Sequence, residues 1–161
     1  MKITFLLFLN LSIVSSVFAF STSDHLAKKY VEIGNGKLSY YFWDVYHVTY
    51  SKSEDKTTEI IKLKYLRDID KDLTQRGWDE SLSHLEKIDP QLNWLKSKAV
   101  DVVEGDEIEI FRVGKENIFI TKNRKVIASK EKDQKLNSII HYPWIGKKSI
   151  NKKLKKQLLK N

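Results

Sequence analysis

The sequence predicts an α+β domain in which one antiparallel sheet carries amphipathic helices across one of its faces. Three observations lead there. Residues 36–51, GKLSYYFWDVYHVTYS, hold six aromatic and three β-branched residues, no proline and a single glycine at the start, a composition that favours extended chain. Residues 57–66, TTEIIKLKYL, alternate apolar and polar side chains as a half-buried strand does. From residue 71 the apolar period lengthens to that of a helix, and the same change of period occurs once more towards the end of the chain. Strands, helices, strands, helices in that order place helices over a sheet.

Taken in order, residues 36–51 read as one long strand. Leu38, Tyr40, Phe42, Tyr46, Val48 and Tyr50 share a face suited to a core, while Lys37, Ser39, His47 and Thr49 share the other with Tyr41, Trp43 and Val45. A polar turn at 51–56 leads into the second strand, which pairs antiparallel with the first. Leu73, Gly77, Trp78, Leu82 and Leu85 recur at helical spacing, with Asp70 or Asp72 placed to cap a helix over about 71–86. Asp89-Pro90 opens a short helix through Leu92 and Leu95. Behind the turn at Glu104-Gly105-Asp106 come three short strands, 107–113, 117–121 and 125–128, joined as hairpins. A helix begun at Ser129 or Lys130 buries Leu136, Ile139 and Ile140, and Ser149 caps a last one carrying Ile150, Leu154 and Leu158.

The chain of 161 residues opens with Lys2 and an apolar run over residues 3–17, followed by Val17-Phe18-Ala19. This is the pattern of a signal peptide cleaved before Phe20, so a periplasmic or secreted protein is expected. An uncleaved anchor is the weaker alternative, because the run falls short of the ~20 apolar residues that cross a bilayer. The remainder, 20–161, is of one-domain size with no linker to divide it. It contains no cysteine, which excludes disulfides, thiolate catalysis and a cysteine zinc site. The net charge of +8 is local: residues 147–161 hold seven lysines and no acid, while 20–146 balance.

Few residues announce chemistry. His25, His47, His84 and His141 stand alone, with no ligand spacing between them and no nucleophile elbow. Asp68, Asp70 and Asp72 open like a calcium loop, yet Leu73 takes its glycine position and Asp79 its final glutamate, so helix capping is the better reading. Arg67 is the first arginine of the chain and ends a strand, where a guanidinium meets either a local acid such as Asp68 or an anionic group in a pocket. Tyr40, Tyr46 and Tyr65 would line such a pocket or simply fill the core. The lysine-rich ending pairs an apolar stripe with cations, as a docked solvated helix or an anionic membrane contact does; export argues against nucleic acid.

Five segments together, GKLSYYFWDVYHVTYS, KLKYLRDID, TQRGWDESL, VDVVEGDEIEIFRV and HYPWIGKKSINKKLKKQLL, resemble the chalcone isomerase-like family, in particular its small exported bacterial members. The resemblance covers nearly all of 20–161. It implies an open-faced β-sandwich of the chalcone isomerase type, with an antiparallel sheet, helices on one face and a ligand cleft between them. It further implies either cofactor-independent intramolecular ring closure, as in the plant enzymes, or fatty-acid binding through an arginine and a tyrosine, as in plastid members.

The enzymes' arginine at the start of the first long strand has only Lys37 as its counterpart, and Val45 stands near their strand threonine. No catalytic residue is therefore carried over. The expected role is a non-catalytic domain that needs no cofactor or metal and takes a small apolar or amphipathic acid, with Lys37, Tyr40, Tyr46, Tyr65 and Arg67 as ligand-binding residues. An isomerase or intramolecular lyase requires Lys37, Tyr46 and Arg67 to converge on one pocket. A structural protein of the envelope is the third alternative.

Overall fold

Six strands form a continuous antiparallel meander in the computed structural model, which describes residues 20–160. They are β1 (Tyr30–Tyr40), β2 (Trp43–Ser53), β3 (Thr58–Tyr65), β4 (Glu107–Val113), β5 (Asn117–Lys122) and β6 (Lys125–Lys130), and each pairs with its neighbour in sequence. The helices are α1 (Thr22–Ala27), α2 (Lys71–Leu82), α3 (Asp89–Ser97), α4 (Gln134–Ile139), α5 (Tyr142–Ile145) and α6 (Lys152–Leu159). The expected signal peptide, 1–19, lies outside the described residues.

Alternation divides the sheet into two faces. Tyr46, Val48 and Tyr50 of β2, Ile61, Leu63 and Tyr65 of β3, and Ile108 and Ile110 of β4 point into the main core, against Trp78, Leu82, Leu95, Leu136, Ile140, Trp144, Leu154 and Leu158 of the helices. The reverse face has a small cluster of its own, Ile60, Phe111, Val113 and Phe119, with Phe20, Leu26 and Tyr30 packed on it. One short helix, α1, thus lies behind the sheet, while α2 to α6 cover the front.

The aromatic ribbon is not one strand. It breaks at Tyr41-Phe42 into a hairpin, with Tyr40 opposite Trp43. No glycine, proline or asparagine marks this turn; Tyr41 itself takes φ 53°, the left-handed region that aromatic residues seldom enter. Consequently Tyr40 and Phe42, expected in the core, are 68 % and 99 % exposed.

Three helix boundaries also differ from expectation. Helix α2 starts where Asp70 caps it, accepting from the Leu73 N–H at 2.8 Å, but it ends at Leu82. Strand β6 continues to Lys130, and α4 is capped by Asp133 rather than begun at Ser129. Helix α6 is capped by Asn151, whose Oδ1 accepts the Leu154 N–H at 2.9 Å, so Ser149 and Ile150 precede it. Leu154 and Leu158 then bury fully, at roughly 1.5–3 kcal/mol each, whereas Ile150 stays 41 % exposed. The α6 backbone approaches β1 so closely that Gly34 leaves no room for a side chain.

Candidate functional site

Between the sheet and the helices lies a cavity of about 740 Å³, within the range of small-molecule sites. Its floor crosses every strand: Leu38 on β1, Tyr46 on β2, Leu63 and Tyr65 on β3, Ile108 and Ile110 on β4, Ile120 on β5 and Ile127 on β6. Five inter-strand spacings make this roughly 24 Å. The roof comes from α2 through Leu73, Thr74, Gly77, Trp78, Glu80 and Ser81, with Leu95 of α3 and Trp144 of α5. Exposed Tyr40, Trp43 and Ile150 sit at the mouth.

Chemically the cavity runs from polar to apolar. Its floor over β4 to β6 is made of isoleucines only, whereas Ser39, Tyr40, Trp43, Tyr65 and Arg67 gather over β1 to β3. Arg67 follows β3, in the stretch where the Leu66 N–H bonds to the Val45 carbonyl at 2.9 Å, so backbone pairing brings its side chain beside the start of β2. There its guanidinium carbon lies 4.3 Å from the Trp43 ring centroid, a cation–π contact. Asp68, the expected partner, instead accepts the Glu104 N–H. Among the described residues no ion pair involves Arg67, Glu80 or Lys98, the charged groups of the lining.

Tyr46 and Tyr65 meet edge to face with centroids 5.5 Å apart. The Tyr46 hydroxyl accepts the Trp144 indole N–H at 3.2 Å, and burial, with Tyr65 beside it, pushes its pKa up. The Tyr65 hydroxyl has no protein partner among the described residues yet keeps contact with the cavity space. Burial pushes Tyr65 up to about 12, so it remains a neutral donor at ordinary pH.

The five expected site residues therefore separate. Tyr40, Tyr46, Tyr65 and Arg67 line one cavity. Lys37 does not: its neighbour Leu38 faces inward opposite Tyr46, which sends Lys37 and His47 to the other face, where Lys37 pairs with Asp44. The convergence of Lys37, Tyr46 and Arg67 required by the isomerase reading is absent. Sequence reasoning missed Trp43 and Trp144, which hold Arg67 and Tyr46; Trp144 lies within HYPWIGKKS, a segment singled out for its pattern rather than for a contact. The remaining candidates play local parts: Asp70 caps α2, and His141, between α4 and α5, is buried on the helical side of the sheet, its Nε2 bonded to the Ile110 carbonyl at 2.8 Å.

No protein-family model matches the chain, and no curated protein does. Among solved structures, 34 chains match. One is the crystal structure of a fatty-acid binding protein from Arabidopsis thaliana, with a TM-score of 0.66 and 14% sequence identity, covering 81% of this chain and 86% of that one. At that identity the likeness speaks for architecture alone, and it agrees with the sheet and helix order described above. The chain has the chalcone isomerase-like fold.

Proposed function

We propose that this domain binds a small amphipathic acid of the fatty-acid type without transforming it. The observation that carries this reading is an unpaired arginine at the mouth of an elongated apolar cavity. Burying a hydrocarbon chain over the β4–β6 isoleucines contributes about 0.8 kcal/mol per methylene. The carboxylate then remains at the wet end, where Arg67 offers a fork of donors and Tyr65 a neutral hydroxyl. That a protein of the same fold binds fatty acids supports the assignment. Among the described residues the lining holds no histidine, and burial keeps the Tyr46 and Tyr65 phenols protonated well above neutral pH, which leaves Glu80 of α2 as its one carboxylate for general-base work.

Export and cleavage before Phe20 complete the proposal. Phe20 supports it by packing 5.9 Å from the Phe119 ring, so the fold uses the chain from that residue onward. Intact mass of protein recovered from its own host checks the cleavage point. Native mass spectrometry of the same sample tests the ligand: a copurifying acyl acid is expected. An empty protein that also ignores fluorescent acyl probes would end the binding reading.

A further inference from the structure

The β1–β2 hairpin ends in four consecutive aromatics, Tyr40, Tyr41, Phe42 and Trp43, which are 68 %, 82 %, 99 % and 58 % exposed. Tyr40 and Trp43 line the cavity mouth, while Tyr41 and Phe42 form the apex and take no part in the lining. A tip of this kind is costly in water. Its turn also holds Tyr41 at φ 53°, where asparagine or glycine would sit with less strain. Neither cost is recovered by a contact on the reverse face or in the core, since neither apex residue belongs to a core cluster.

We propose that this tip inserts into the interfacial layer of an anionic phospholipid bilayer and holds the cavity mouth at the lipid surface. Tyrosine and tryptophan, apolar rings with a polar handle, favour that layer. Charge agrees on one flank. Gly36 of β1 meets Leu154 and Gln157, and Gly34 meets Gln157 and Leu158, so α6 runs beside β1 with its N-terminal end towards the tip. That end brings exposed Lys147, Lys148, Lys152 and Lys153, in a stretch, 146–160, without a single acid.

Asp44, the acid nearest the apex, is neutralised by Lys37. On the opposite flank Asp68, Asp70 and Asp101 are each engaged by a backbone amide, those of Glu104, Leu73 and Lys71. A second protein is the poorer occupant, because a two-residue apex cannot supply the ~800 Å² per partner of a stable interface. A bilayer sets no such minimum. This inference rests on the acyl-binding reading for its purpose and deepens it by naming the membrane as the place where the ligand is exchanged.

The test is cosedimentation of the 20–161 chain with vesicles of phosphatidylcholine and phosphatidylglycerol, beside a Tyr41→Asn, Phe42→Ser double variant. Asparagine tolerates the left-handed turn and neither residue touches the cavity, so the melting curve and acyl-probe binding in solution should not move. Partitioning should fall roughly tenfold or more, and brominated acyl chains should quench tryptophan emission only in the parent protein. Equal sedimentation of the two proteins, which would place the contact on the lysines alone, overturns the assignment. So does absence of binding by the parent, or a dimer in solution that the variant abolishes without any vesicle binding. Tip-dependent vesicle binding in a protein that refuses acyl probes would sustain the tip and remove the cavity reading alone.

Discussion

Arg67 sits over the Trp43 ring, its guanidinium carbon 4.3 Å from the centroid, and forms an ion pair with no carboxylate among the described residues. The indole holds the charged fork at the mouth while leaving its donors free for an anion. Replacing Arg67 with alanine should weaken binding of an acyl acid by roughly ten- to a hundredfold, the worth of a charge-assisted hydrogen bond. The methyl ester of the same acid should bind parent and variant alike. Displacement of a fluorescent acyl probe measures both, and an acid that binds Arg67→Ala undiminished contradicts the assigned polar end.

Gly77 sits inside α2 and lines the cavity, and a Cβ there would meet no heavy atom within 4 Å. Alanine at this position should therefore raise stability by up to about 1 kcal/mol through helix propensity alone. Phenylalanine should reach into the cavity and lower acyl-probe affinity instead. Melting temperature and probe affinity moving in opposite directions across Gly77→Ala and Gly77→Phe would bear this out; no loss of affinity in Gly77→Phe would show the ligand lies elsewhere.

His141 is buried with its Nδ1 unpartnered and its Nε2 on the Ile110 carbonyl. Burial, with Arg112 nearby, lowers its pKa from the ordinary 6.5 to about 3, although the Ile110 carbonyl opposes the shift. Because the folded value lies below the unfolded one, the stability of the neutral ring is complete above pH 6.5 and is lost as pH falls towards 3. The urea midpoint should therefore decline before carboxylates begin to titrate near pH 4. In His141→Gln that early decline should flatten, even though the variant is weaker at neutral pH. An unchanged slope would assign the acid sensitivity to other groups.

At Gly34 a side chain would collide with the backbone carbonyl oxygens of Gln157 and Leu158. Backbone atoms cannot swing aside as side-chain ends do, so Gly34→Ala should loosen α6 at a cost of roughly 1–3 kcal/mol. Amide exchange in α6 should rise well above that in β3 and β4. Gly36→Ala should be milder, since the atoms it meets belong to the side chains of Gln157 and Leu154. Equal protection of α6 in parent and Gly34→Ala would refute the close approach.

Much of this architecture is legible from local pattern. The β2–β3 hairpin, the β4–β6 meander, the Asp70 cap and the buried Leu154 and Leu158 follow from spacings of two and of three to four, because alternation and helical pitch act over a few residues. The Asn123-Arg124 turn also declares itself, with both residues at positive φ.

What pattern could not disclose lies at Tyr41-Phe42. A turn without glycine, proline or asparagine leaves no local mark, and its strain is tolerated because β1 and β2 pair on either side of it. That reversal decides which aromatics meet water, and register alone turns Lys37 away while Tyr46 faces inward. The cavity is more remote still from any spacing rule. It is the volume left unfilled where helices anchored by residues far apart in the chain stand off from the sheet, and Arg67 acquires its place only because β3 returns it to Trp43.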